Sequence, residues 1–285
     1  RRQPGSAIKP FIYAAALELG IPASSRWDDT PAAYDRGNGQ SWSPRNYGGE
    51  SYGELTLREA LAHSNNVVTV KLLDTLGVPA FLDFAGRMGL ALRTPNDLSL
   101  ALGTDDVTLH DLTLAYAPFA AGGMRPASRT IVRIFDRNRL AWTENPPVVA
   151  PVLDPAPAYV ATRLLQDVLT VGTARSLKTF AAERPAAGKT GTTDDYRDAG
   201  HELGGVADEP GRGDLVVGVG RGAGLARGRL GHRAGGLAGA AGDDLLQGVG
   251  GVGCDVLVHR PFPPSGVVVL VDDGAVGVDH LGDDE

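Results

Sequence analysis

The sequence predicts an α/β chain of the α+β type, in which helices cluster together and strand-forming segments are set apart from them. Three observations carry this. Residues 6 to 19, SAIKPFIYAAALEL, are apolar almost all round, as a buried helix is. Thr56-Leu57-Arg58-Glu59 is a capping box, which opens a second helix. Thr130 to Phe135 and Arg139 to Trp142, split by a short polar turn, read as a β-hairpin.

Taken in chain order, the first helix ends at Gly20, and Pro10 limits where it begins, because proline is tolerated only near a first turn. Ser6 therefore falls at the N-terminal end of that helix. Residues 21 to 53 are rich in Pro, Gly, Asn, Ser and Asp and read as a long irregular loop of the kind that often carries function. The capping-box helix runs to about His63. Ser64-Asn65-Asn66 interrupts it, and helical spacing resumes from Val67 to Leu76 before Gly77 stops it. Further helices fit Ala80 to Arg87, Thr108 to Ala121 and Ala158 to Val168.

Composition changes abruptly near residue 200. Glycine supplies 22 of the last 85 residues but 17 of the first 200, and residues 201–285 hold 6 basic and 13 acidic groups, which is the whole net charge of −7. Phe262 is the one aromatic there, and Lys, Asn, Thr, Ile, Met, Tyr and Trp are absent. Leu215 to Val219 and Val267 to Val271 are candidate strands without clear alternation. Two explanations fit: a natural Gly-rich, mostly disordered extension, or a frameshift near residue 200 in a gene with G or C at most third codon positions. The second is a hypothesis that the nucleotide sequence tests, since another frame must then encode a sheet strand after residue 199. The expected division is thus residues 1–199 as a folded core and 200–285 as a divergent tail.

Some function classes are excluded. No Lys/Arg-rich stretch offers the footprint that a nucleic-acid partner requires. Cys254, the only cysteine, forms no internal disulfide and supplies no thiolate cluster for zinc. There is no apolar run of about 18 residues and no signal-peptide pattern at Arg1-Arg2-Gln3-Pro4-Gly5, so any export signal or anchor is expected upstream.

Three short motifs stand in order: Ser6-Ala7-Ile8-Lys9, Ser64-Asn65-Asn66 and Lys189-Thr190-Gly191-Thr192. Random placement at this composition yields all three together on the order of once in a thousand chains. Residues three apart share a helix face, so the Lys9 amine is placed to reach the Ser6 hydroxyl. Serine is a poor nucleophile until a base takes its proton, and lysine serves if burial depresses its pKa toward neutrality. Ser64 is the candidate relay to a leaving amine and Asn66 the candidate ligand of a substrate amide. Gly191 permits close approach, the Thr192 N–H completes an oxyanion hole, and Lys189 with the Thr190 and Thr192 hydroxyls binds a carboxylate. Each motif also has a plain structural reading: a helix N-cap with a surface lysine, an interhelical turn, and a solvated β-edge. Gly188-Lys189-Thr190 also suggests a phosphate-binding loop, but Glu183 stands where that loop needs glycine. A Ser/His/Asp hydrolase lacks its G-x-S-x-G elbow at Ser6, and His63 reads as a helix C-terminal histidine. No metal and no cofactor are expected.

Arg2-Gln3-Pro4-Gly5-Ser6-Ala7-Ile8-Lys9-Pro10-Phe11, Trp42-Ser43-Pro44-Arg45-Asn46-Tyr47, Ser64-Asn65-Asn66, Gly188-Lys189-Thr190-Gly191-Thr192-Thr193 and Asp194-Asp195-Tyr196-Arg197-Asp198-Ala199 together resemble the transpeptidase domain of class A penicillin-binding proteins. The resemblance implies an antiparallel sheet against a helical cluster, with Lys189 on the edge strand. It implies a serine acyltransferase that cross-links peptidoglycan stem peptides at D-Ala-D-Ala and is acylated by β-lactams. Ser6 is then the nucleophile, Lys9 the base, Ser64 the relay, Asn66 a substrate ligand, and Lys189, Thr190 and Thr192 the carboxylate site. It further implies a glycosyltransferase domain, a membrane anchor and sheet strands upstream, and a place in the cell envelope on the outer face of the cytoplasmic membrane. The domain is thus expected to be incomplete at both ends, because Gly200-His201 follows where the family has an aromatic strand. A D,D-carboxypeptidase or β-lactamase would use the same three motifs, and a non-catalytic β-lactam or muropeptide-binding fragment is the alternative from another class.

Overall fold

The computed structural model describes residues 1–35, 40–93, 97–131, 133–135, 141–146, 148–183, 186–192, 199–205, 215–221 and 267–272. The apolar run at the N-terminus folds as a 3-10 turn, Gly5–Ile8, that runs directly into helix α1, Lys9–Glu18. Ser6 thus lies inside the 3-10 turn rather than at a helix cap. Gly5 starts that turn with a φ of 55°, a conformation glycine adopts at little cost. Pro10 takes the second position of α1, where a missing N–H leaves no helical bond unmade.

The side chains of α1 are enclosed all round, with Phe11, Ile12, Tyr13, Ala14 and Ala16 at 0% exposure. Around it pack α2 (Leu57–Ala62), α3 (Asn66–Leu76), α4 (Val78–Met88), α5 (Leu109–Ala120) and α6 (Pro155–Thr170), with a short α7 (Lys178–Glu183) beyond. The capping box forms as expected. Thr56 accepts from the Glu59 amide and the Glu59 carboxylate accepts from the Thr56 amide. Helix α6 starts three residues earlier than its apolar spacing suggests, because Pro155 at its first turn is pre-set for helical φ. Phe11 meets Tyr116 edge-on at 5.0 Å and Phe119 at 5.4 Å, which ties α1 to α5 at the centre of the core. Phe11→Ala is expected to lower stability by about 3–5 kcal/mol, read by urea unfolding.

The strands are β1 (Arg26–Asp28), β2 (Tyr34–Asp35), β3 (Ser41–Trp42), β4 (Glu54–Thr56), β5 (Met124–Pro126), β6 (Arg133–Phe135), β7 (Ala141–Glu144), β8 (Val149–Pro151), β9 (Ala186–Thr192), β10 (Ala199–Gly205), β11 (Leu215–Arg221) and β12 (Val267–Asp272). Antiparallel pairs β1–β4 and β2–β3 give order to the segment that reads as irregular loop. The hairpin forms as β6–β7, its first strand starting three residues later than expected and its second shifted on by two, with a register break after Ile134. The main sheet runs β12-β11-β10-β9. Two of its three pairings, β9–β10 and β10–β11, are antiparallel as expected, with β9 at the edge, whereas β11 and β12 pair parallel, Leu215↔Val267 to Gly220↔Asp272. Near-continuous apolar runs and a long intervening sequence are what a parallel pair requires, and both hold here. Residue 199 begins β10, which pairs along all of β9 from Ala199↔Thr192 to Gly205↔Ala186. Among the described residues no helix is long and apolar enough to cross a membrane.

Candidate active site

Helix α2 ends in a Schellman motif: the Ser64 amide donates to Leu61 O at 3.0 Å and the Asn65 amide to Ala60 O at 2.8 Å. This motif puts its penultimate residue in the left-handed region, normally glycine. Here it is Ser64, with a φ of 56°, the one described non-glycine residue at positive φ. The turn presents both the carbonyl and the hydroxyl of Ser64 to the buried side of α1. Lys9, at 0% exposure, donates from Nζ to Ser64 O at 2.6 Å, Ser64 Oγ at 3.2 Å and Asn66 Oδ1 at 2.6 Å. From the opposite side Lys189, also buried, donates from Nζ to the same Ser64 Oγ at 2.8 Å and to Thr190 O at 2.9 Å. One strained serine therefore sits between two amines. Ser64→Gly is expected to fold more stably than Ser64→Ala by about 1 kcal/mol, because glycine relieves the left-handed backbone. Paired melting curves of the two variants check this.

Burial, and after it the neighbouring Lys189 ammonium, holds the Lys9 amine well below the usual lysine range. Ser6 is half-buried one turn before Lys9, and among the described residues its hydroxyl is not one of the hydrogen-bond partners of Lys9. The Thr190 hydroxyl meets the Thr173 hydroxyl at 2.8 Å, which links β9 to the segment after α6. Gly191 lies against the turn that carries Ser6. A Cβ there would stand 2.7 Å from Pro4 O and 3.2 Å from Ala7 Cβ, so only glycine lets the strand come this close. The backbone of Thr192 closes β9, and its side chain is outside the described residues. Among the described residues no three His, Cys, Asp or Glu side chains gather as metal ligands.

The site also contains residues that sequence reading passes over. Asn66 Nδ2 donates to Arg45 O at 2.8 Å, and Asn46 Oδ1 accepts from the Asn66 amide at 2.8 Å and the Val67 amide at 3.3 Å. Asn46 Nδ2 in turn donates to both carboxylate oxygens of Asp29, at 2.8 and 3.0 Å, and to Glu50 O at 2.9 Å. Asp29 is 0% exposed and also accepts from the Tyr52 amide at 2.9 Å. The Trp42-to-Tyr47 loop was the signal available for Asn46; no local spacing points to Asp29.

Residues 1–205 match the penicillin binding protein transpeptidase domain. Penicillin-binding protein 1A of Neisseria meningitidis serogroup A is 40% identical over 206 residues, which are 70% of this chain and 26% of that protein. The Aquifex aeolicus protein of the same name is 43% identical over 199 residues, 70% of this chain and 27% of that one. The chain thus spans about a quarter of the length of these curated relatives. The crystal structure of penicillin-binding protein 1A from Haemophilus influenzae superposes with a TM-score of 0.66 at 25% identity, over 74% of this chain and 39% of that chain. An imipenem acyl-enzyme of penicillin-binding protein A from M. tuberculosis shares the fold, with a TM-score of 0.62 at 21% identity over 71% of this chain and 52% of that chain. The motifs, the site they build and these matches agree: the chain belongs to the penicillin-binding protein transpeptidase family.

Proposed function

We propose that the chain carries the site of a peptidoglycan D,D-transpeptidase acting through an acyl-enzyme on Ser6. The observation that carries this reading is the convergence of the Lys9 and Lys189 amines on Ser64 Oγ, with Asn66 on the Lys9 amine, beside Ser6. A neutral Lys9 donates its two N–H groups to the 2.6 Å acceptors, Ser64 O and Asn66 Oδ1, and keeps a lone pair for a hydroxyl proton. Ser6 Oγ attacks the carbonyl of the D-Ala-D-Ala bond while its proton passes to Lys9. The oxyanion that forms is held by backbone N–H groups of Ser6 and Thr192. As the C–N bond breaks, a proton moves from Lys9 through Ser64 Oγ to the leaving amine, and D-Ala departs. An acceptor amine then attacks the Ser6 ester and returns a proton by the same route, which restores the Ser6 hydroxyl. Lys189, Thr190 and Thr192 take the terminal carboxylate of the donor, and Asn66 takes a backbone amide of the stem peptide. β-Lactams enter by the same first step, with the lactam C–N bond in place of the peptide bond.

The reading places the whole protein in the cell envelope, at the outer face of the cytoplasmic membrane, with a glycosyltransferase domain and a membrane anchor upstream. Incubating the chain with a stem pentapeptide ending in D-Ala-D-Ala and an amine acceptor tests the activity. Release of D-Ala with formation of the new amide is the expected result. D-Ala release with hydrolysis alone would assign a carboxypeptidase, and neither product would leave a non-catalytic fragment.

A further inference from the structure

We propose that Asp29 and Asn46 are positioning residues for the acylation machinery: buried Asp29 orients the Asn46 amide, and Asn46 sets the start of α3 and so the placement of Asn66 on Lys9. This rests on the Ser6 acyl-enzyme reading above and adds two residues that make no contact with Ser6, Lys9 or Lys189 in any hydrogen bond described.

The orientation of Asn46 is settled by its surroundings. Its Nδ2 faces three acceptors, both Asp29 oxygens and Glu50 O, while its Oδ1 faces two donors, the Asn66 and Val67 amides. A flipped amide would set oxygen against a carboxylate and NH₂ against two N–H groups, so only one orientation satisfies the network. A buried carboxylate is costly unless donors surround it. Asp29 meets that need with the Asn46 side chain and the Tyr52 amide, and the same contacts pin both ends of the loop that holds Asn46.

The first amides of a helix have no internal acceptors. In α3 the Val68 amide goes to Asn65 Oδ1, the N-cap, at 2.8 Å, whereas the Asn66 and Val67 amides go to Asn46, twenty residues away in sequence. Arg45 O, the carbonyl next to Asn46, takes Asn66 Nδ2. Backbone and side chain of Asn66 are therefore both held by the Arg45-Asn46 pair, which leaves Asn66 Oδ1 directed at Lys9 Nζ. Lys9 occupies a fully enclosed position, so a rotated Asn66 removes one of its two short acceptors, and no solvent is at hand to replace it. Asp29 acts on the base through Asn46 and Asn66 in series.

The test uses the full chain, its Asn46→Ala and Asp29→Asn variants, and the double variant. Acylation by fluorescent penicillin is measured as a rate per labelled site, with saturation labelling counting the competent molecules. A purely structural role lowers the number of labelled sites and leaves the rate of each unchanged. A positioning role lowers the rate itself, on the order of 10- to 100-fold in Asn46→Ala and by about 10-fold in the isosteric Asp29→Asn. The double variant should be no slower than Asn46→Ala alone, because Asp29 works through Asn46. Amide hydrogen exchange supplies a second readout: Asn66 and Val67 lose protection in both single variants, while Val68, held by Asn65, keeps it. Wild-type rates per site, additive losses in the double variant, or loss of protection spread evenly along α3 would each overturn the proposal. Absence of label on the unmutated chain would sink the acyl-enzyme reading of Ser6 instead, and the exchange pattern would still decide the relay.

Discussion

Lys9→Met is expected to slow acylation of Ser6 by penicillin by about 10³- to 10⁴-fold while the chain stays folded. The side chain is enclosed by the helix cluster, and methionine fills nearly the same volume without an amine, so packing is largely kept. What is lost is a buried amine, the proton acceptor of the proposed mechanism. Lys189 is not expected to replace it, because its amine is engaged with Ser64 Oγ and Thr190 O on the far side of Ser64. Two acceptors, Ser64 O and Asn66 Oδ1, lose their donor at about 1–3 kcal/mol each, which the removal of a buried amine partly offsets. Stopped-flow labelling with a melting curve on the same sample checks both halves. A variant that acylates within about tenfold of wild type would remove Lys9 from the role of base.

Lys189→Gln is the second large effect and has a directional signature. Loss of a charge-assisted hydrogen bond to the donor carboxylate is expected to cost about 10- to 100-fold in kcat/KM. The pH profile moves as well. Lys9 is held low first by burial and then by the Lys189 charge, so the uncharged variant lets the Lys9 pKa rise. Acylation needs the free amine and falls as pH drops through that pKa. The acid limb of kcat/KM should therefore shift to higher pH in Lys189→Gln and stay in place in Lys189→Arg, which keeps the charge. A limb that moves down or does not move in the glutamine variant would contradict the coupling between the two amines.

The parts of this site that were legible in the sequence are those whose chemistry is local. Ser6 and Lys9 are three residues apart, the capping box at Thr56 announces α2, and Ser64-Asn65-Asn66 marks the break that becomes a Schellman turn and an N-cap. The meeting of Lys189 with Ser64 is not local, since 125 residues separate them, and only the joint occurrence of the motifs pointed to it. The left-handed Ser64 was not legible, because the Schellman position normally signals itself with glycine. Asp29 was hidden for a related reason: its partner Asn46 is 17 residues away across a loop whose strands β1 to β3 are only two or three residues long, too short for a periodic pattern to announce them. The parallel β11–β12 pairing was equally out of reach, since a short apolar run such as that at 267–271 carries no signal of strand direction.

Acylation at Ser6 is tested by peptide mapping by mass spectrometry after incubation with benzylpenicillin. One penicilloyl adduct per chain is expected, carried on the peptide containing Ser6 and absent from Ser6→Ala. An adduct on any other residue, or persistence of the adduct in Ser6→Ala, would contradict it.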